Sequence, residues 1–109
     1  MRFFKYALAA TFMTFGFPAN AGTGSGLVSS IGITANGVVY FKVDIRANPP
    51  ACSTVKNEFA FDGSTAAGRA RLATLLAAAN GNKKVSVVGL GDCSAWGDRE
   101  NVKYLLVAY

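Results

Sequence analysis

The chain has 109 residues, 11 of them Lys or Arg against 6 Asp or Glu, giving a formal net charge of +5, and it has no histidine. That length holds one domain and leaves no room for a second core. Without histidine, a Ser-His-Asp or Cys-His catalytic site is excluded, and the favourite zinc ligand is missing.

Arg2 and Lys5 form a positive n-region, Tyr6 to Phe17 is an apolar run, and Pro18 breaks it just before Ala19-Asn20-Ala21. This three-part pattern reads as a secretory signal peptide over residues 1–21, with small residues at Ala19 and Ala21 to suit the cleavage pocket. The apolar run is too short to span a bilayer, which takes roughly 20 residues. No membrane insertion is expected once it is removed. Cleavage takes away Arg2 and Lys5 but no acidic residue, leaving nine basic residues against six acidic, or +3. So small a charge, with no basic cluster longer than Lys83-Lys84, argues against nucleic acid as a partner.

The remaining 88 residues, Gly22 to Tyr109, keep both cysteines. In an oxidising compartment these are expected to pair as Cys52–Cys93, the one connectivity available. Closing that loop contributes about 4 kcal/mol in the chain-entropy treatment.

In chain order, Gly22 to Gly26 carries only Gly, Thr and Ser and reads as a flexible lead-in, with one domain over 27–109. Leu27, Ser29, Ile31 and Ile33 alternate with Val28, Ser30, Gly32 and Thr34, predicting a strand. Asn36-Gly37 predicts a type I′ turn, after which Val38 to Ile45 returns as the second arm of a hairpin. In that arm Val39, Phe41, Val43 and Ile45 are expected inside, with Tyr40, Lys42, Asp44 and Arg46 in water. Pro49-Pro50 ends it.

A third strand is expected over Cys52 to Phe61. Asp62-Gly63-Ser64 then makes a turn with Ser64 as cap, and a helix is expected over Thr65 to Asn80, stopped by Gly81. Leu72, Leu75, Leu76 and Ala79 form its predicted buried stripe, and Gly68 lies on the same stripe, where a bare backbone either admits close approach to the sheet or is simply tolerated. Lys83 to Leu90 and Asn101 to Tyr109 are the last two expected strands, separated by a loop holding Cys93 and Trp96. The order β-β-β-α-β-β has too few crossover helices for a doubly wound parallel sheet. It predicts a small α+β, mainly β domain, a five-stranded OB-like Greek-key barrel with one disulfide.

The segment TAAGRARLATLLAAANGNKKVSVVGLGDCSAWGDRENVKYLLVAY, from Thr65 to Tyr109, resembles small uncharacterised exported bacterial single-disulfide proteins in its helix, its valine-rich strand, its Gly-x-Cys and its Trp-Gly-Asp loop. More distantly, element order and cysteine placement resemble the OB-fold B subunits of bacterial toxins such as subtilase cytotoxin. That resemblance implies glycan binding and a homo-oligomer, while the signal peptide implies a periplasmic or secreted location in a bacterium.

Candidate chemistry is sparse. Asp92, Asp98 and Glu100 lie close in sequence but match no calcium-loop spacing, and are expected to be a solvated loop with local ion pairs around Arg99. Gly89-Leu90-Gly91 lacks the following helix that a phosphate cradle needs. No cofactor, metal or catalytic residue is expected. Trp96 could offer a flat face to a sugar ring or a partner, although a cover for the disulfide and a plug for the barrel is the favoured role. Tyr40, Lys42 and Asp98 complete the candidate ligand-binding set. These residues point to a non-enzymatic exported binding module for a glycan or cell-surface ligand, the alternative being a periplasmic structural or inhibitory protein that binds another protein.

Overall fold

The computed structural model describes residues 21–108. The expected signal peptide therefore lies, except for Ala21, outside the described residues. Five strands and one helix follow in the order β1 (Thr23–Ile33), β2 (Val38–Ala47), β3 (Glu58–Asp62), α1 (Ala66–Asn80), β4 (Val85–Gly89) and β5 (Glu100–Val107). The strands form one mixed sheet in the order β1-β2-β3-β5-β4, which returns to β1 and closes a ring. All neighbours are antiparallel except β3 and β5, which run parallel and touch through two residue pairs, Phe59–Glu100 and Ala60–Asn101. Val39, Phe41, Val43, Phe59, Phe61, Val85, Val87 and Val102 fill the ring, and Leu75 and Ala78 close it from α1.

Residues 22–26 are not a flexible lead-in. Gly22 is buried, and Thr23 to Gly26 pair with β4 on one side while Thr23 to Ser25 pair with β2 on the other. A side chain at Gly24 would run into the Phe59 ring and Val43, so the inner face is apolar surface supplied by its neighbours. The register then slips at Ser25–Val28 and again at Val28–Ser30, with Gly26 at φ +113°. These bulges re-aim the strand. Val28 and Ile31 pack on the core, whereas Leu27 and Ile33 face water.

The Thr34–Val38 hairpin is not type I′, because Gly37 takes a positive φ, +82°, and Asn36 does not. Gly37 N–H donates to Thr34 O and Thr34 N–H to Val38 O, a three-residue loop ending in a left-handed glycine. Along β2, Val39, Phe41 and Val43 point inward as expected, but Ile45 is 61 % exposed and Arg46 turns in. Opposite the β1 bulge the alternation breaks, and Asp44 and Ile45 both face out.

The third strand begins at Glu58 rather than at Cys52. Asn57 holds a left-handed φ of +65°, and residues 48–57 form a loop instead of pairing. In α1 the cap is Thr65, whose side chain accepts from Gly68 N–H at 2.9 Å, and not Ser64, whose hydroxyl and N–H are both taken by Asp62. The buried line is Gly68, Leu75 and Ala78, with Leu72 half-buried; Leu76 faces solvent. Gly68 presses against Asp62 O, where a Cβ could not fit, so the expected close approach occurs at the end of β3. The last two strands are shorter than expected, Val85–Gly89 and Glu100–Val107. Cys52 and Cys93 are bonded, Cα to Cα 6.1 Å, joining the loop before β3 to the loop after β4 rather than strand to strand.

Candidate functional site

β2 presents Tyr40 between the buried Val39 and Phe41, so its ring stands on the outer surface of the ring of strands. Its cross-strand neighbour on β1 is Gly32, and the Tyr40 ring lies where a Cβ of Gly32 would be. A tyrosine flattened over a glycine leaves its other side free for contact. Trp96, from the loop between β4 and β5, packs against the Tyr40 ring with centroids 4.7 Å apart and an interplanar angle of 63°, the edge-to-face arrangement that aromatic quadrupoles favour. Trp96 is half-buried. It does not plug the ring, since it packs on an outward-facing side chain.

Arg99 organises the cluster. Its guanidinium carbon sits 4.0 Å from the Trp96 ring centroid and 5.3 Å from that of Tyr40. Arg99 Nε donates to Glu58 Oε1 at 2.7 Å and Nη1 to Asp98 Oδ1 at 2.6 Å. Burial pulls the Arg99 pKa down, but the hydrogen bonds and charges of Glu58 and Asp98 outweigh it and hold the guanidinium above its usual value. Lys42 is exposed and pairs in register with Glu58. Three of the four predicted residues meet Arg99, Tyr40 and Trp96 through their rings and Asp98 through a hydrogen bond, while Lys42 lies across the strand from Glu58. Glu58 and Arg99 were missed as members, although Arg99 between Asp98 and Glu100 was the available signal.

The loop that carries Trp96 is held at several points. Thr54 and Val55 N–H both donate to Asp98 O, at 3.0 and 3.2 Å, Gly97 N–H donates to Cys93 O at 2.7 Å, and Ala95 N–H donates to Asn101 Oδ1 at 2.8 Å. Together with the disulfide these bonds fix one loop on the other.

Glu100 is not part of a solvated loop. Its side chain is 0 % exposed and pairs with Arg46, itself 4 % exposed, at 2.5 Å. Glu100 Oε2 accepts from Gly22 N–H at 2.9 Å and Gly91 N–H at 2.8 Å. Arg46 lies 4.0 Å over the Phe59 ring and donates to Thr23 O. This pair closes one end of the core. The alternation of β2 puts Arg46 on the wet face, and only its buried partner, far away in sequence, explains its inward turn.

Among the described residues no group of three or more His, Cys, Asp or Glu is arranged to hold a metal ion, and no helix is long and apolar enough to cross a membrane. Comparison of the chain with protein-family models, with curated proteins and with solved structures finds no match.

Proposed function

We propose that the protein is an exported, non-enzymatic binding module that takes a glycan or cell-surface ligand on the Tyr40–Trp96 face. The strand order, with β3 and β5 parallel, supports reading the ring as an OB-like Greek-key barrel. The observation that carries the reading is two aromatic rings on the outer surface, oriented by Arg99, with Lys42, Glu58 and Asp98 beside them. Aromatic faces take the C–H surface of a sugar, and the charged groups at the rim take its hydroxyls. Because Arg99 is neutralised by two carboxylates, the ligand is recognised by shape and hydrogen bonding more than by charge.

Saturation-transfer NMR of the purified protein against a panel of glycans tests this. Trp96→Ala is expected to weaken the best ligand at least about tenfold, roughly 1.4 kcal/mol. Binding unchanged in Trp96→Ala and Tyr40→Ala would remove this face from the proposal. The second reading, a structural or inhibitory partner of another protein, is favoured by the exposed Tyr104 and Leu106 on β5, 54 % and 57 % accessible. A glycan panel without binders, together with a mass by light scattering equal to that of one chain, would favour it.

A further inference from the structure

The end of the core closed by Arg46 and Glu100 has an unusual third member, the backbone nitrogen of Gly22. Gly22 is buried, its N–H donates to Glu100 Oε2 at 2.9 Å, and its carbonyl accepts from Gly89 N–H at 2.8 Å. A Cβ built on Gly22 would sit 2.5 Å from Arg46 Nη1 and 2.7 Å from both Asn48 O and Glu100 Oε1. Residue 22 is therefore restricted to glycine by the folded domain. Ala21, one residue earlier, is exposed. The boundary between leader and domain expected from the sequence thus falls on the bond whose nitrogen faces a buried carboxylate.

We propose that removal of the leader creates a buried ion pair between the new α-ammonium of Gly22 and the Glu100 carboxylate, so that processing completes this end of the core. The inference rests on cleavage after Ala21. A signal peptidase adds one water across the Ala21–Gly22 peptide bond; the new carboxylate leaves on Ala21 and the amine stays on Gly22, taking a proton at neutral pH. In the unprocessed chain Glu100 has one charged donor, Arg46, and two amide donors, Gly22 and Gly91. After cleavage one amide donor becomes a cation, and charge-assisted bonds are roughly twice as strong as neutral ones. The charged side chains at this point are Glu100 from β5 and Arg46 from β2. The other bonded partners are backbone groups of Thr23, Gly89 and Gly91 and the Ser53 hydroxyl, and Lys56 lines the cleft beyond Arg46. The exposed side at Ala21 lets water reach the ammonium, which eases the presence of two cations around one carboxylate.

The raised affinity for a proton has a fixed sign. Its stabilisation is fully present below the ordinary α-amino pKa, about 7.7–8.0, and is lost as pH rises through the higher value in the folded protein.

The test expresses the full chain in a secreting bacterial host and takes the intact mass of the exported product, which reports its first residue. Its α-amine is then acylated with limiting reagent across a pH series, folded and in urea, and read by mass spectrometry. A product beginning at Gly22 is expected, with an amine that reacts about tenfold more slowly when folded and a midpoint about one pH unit higher. Glu100→Gln should abolish both effects. Because that variant is at risk of not folding, a second one inserts Ala between Ala21 and Gly22; it keeps the amide contact with Glu100 but moves the amine outward, and should react at the unfolded rate. A product with a different first residue overturns the proposal at its cleavage step. A Gly22 product whose amine reacts alike folded and unfolded overturns the ion pair.

Discussion

Among the described residues, Arg46 and Glu100 form the most deeply buried ion pair. Both charges are out of water, and the carboxylate accepts from three donors. Removing one partner of such a pair leaves the other buried and uncompensated, which costs about 3–5 kcal/mol. In the unprocessed chain, where Arg46 is the one charged donor to Glu100, Arg46→Ala is therefore expected to lose about that much in urea unfolding, and a loss under about 1 kcal/mol would contradict the pairing. Asp62 shows the opposite case, a fully exposed carboxylate. Hydrogen bonds from the Ser64 hydroxyl and then the Ser64 N–H hold its pKa below the usual value, against a slight opposing effect of burial. A depressed carboxylate stabilises above its unfolded pKa and loses that contribution as pH falls through its folded one. Asp62→Ala should thus lower the melting temperature at neutral pH, and the gap to the parent protein should close in acid below about pH 4.

At the scale of elements, α1 depends on a residue that helix propensity alone would reject. Glycine in a helix costs about 1 kcal/mol relative to alanine, yet Gly68 lies against the backbone of Asp62 at a distance that admits no methyl group. Gly68→Ala is expected to destabilise by about 1–3 kcal/mol despite the better propensity, because the helix must move off the sheet. A stabilised variant would show that the contact is loose. The sequence places Gly68 on the apolar side, one helical turn before Leu72, but only the contact with Asp62 O separates a required glycine from a tolerated one. The hairpin, the helix and the inward set Val39, Phe41 and Val43 were legible because their periodicity is local.

Where the structure departs from the sequence pattern, the cause is long-range. Gly22 to Gly26 has no apolar side chains, but its inner surface is completed by Phe59, a long-range neighbour that no window along the chain reveals. Ile45 and Arg46 exchanged their expected sides because a bulge on β1 and a partner on β5 override the alternation of β2. Residues 52–57 alternate well enough for a strand but meet Asn57 in a left-handed conformation, so pairing starts only at Glu58. At the site, Tyr40, Trp96, Lys42 and Asp98 were identifiable as types. That Tyr40, Trp96 and Asp98 meet around Arg99 needed the ring of strands to bring β2, β3 and the loop after β4 together.

For the whole molecule the disulfide is the main covalent constraint, and it acts between loops. Replacing both cysteines, Cys52→Ser with Cys93→Ser, is expected to cost up to about 4 kcal/mol in chemical unfolding. The strands should persist in far-ultraviolet circular dichroism while Trp96 fluorescence changes, since its loop is tied to Cys93. Loss of all structure would instead mean that the core cannot stand without the bond.

The narrow parallel contact between β3 and β5 has a kinetic consequence. Two residue pairs close the ring, and they join positions about as far apart in sequence as the two cysteines. In a reduced chain this joint must be found by diffusion of a long loop, an entropic search that slows folding. Once the cysteines are linked, the same strands start as near neighbours, so oxidation shortens the search that closes this seam.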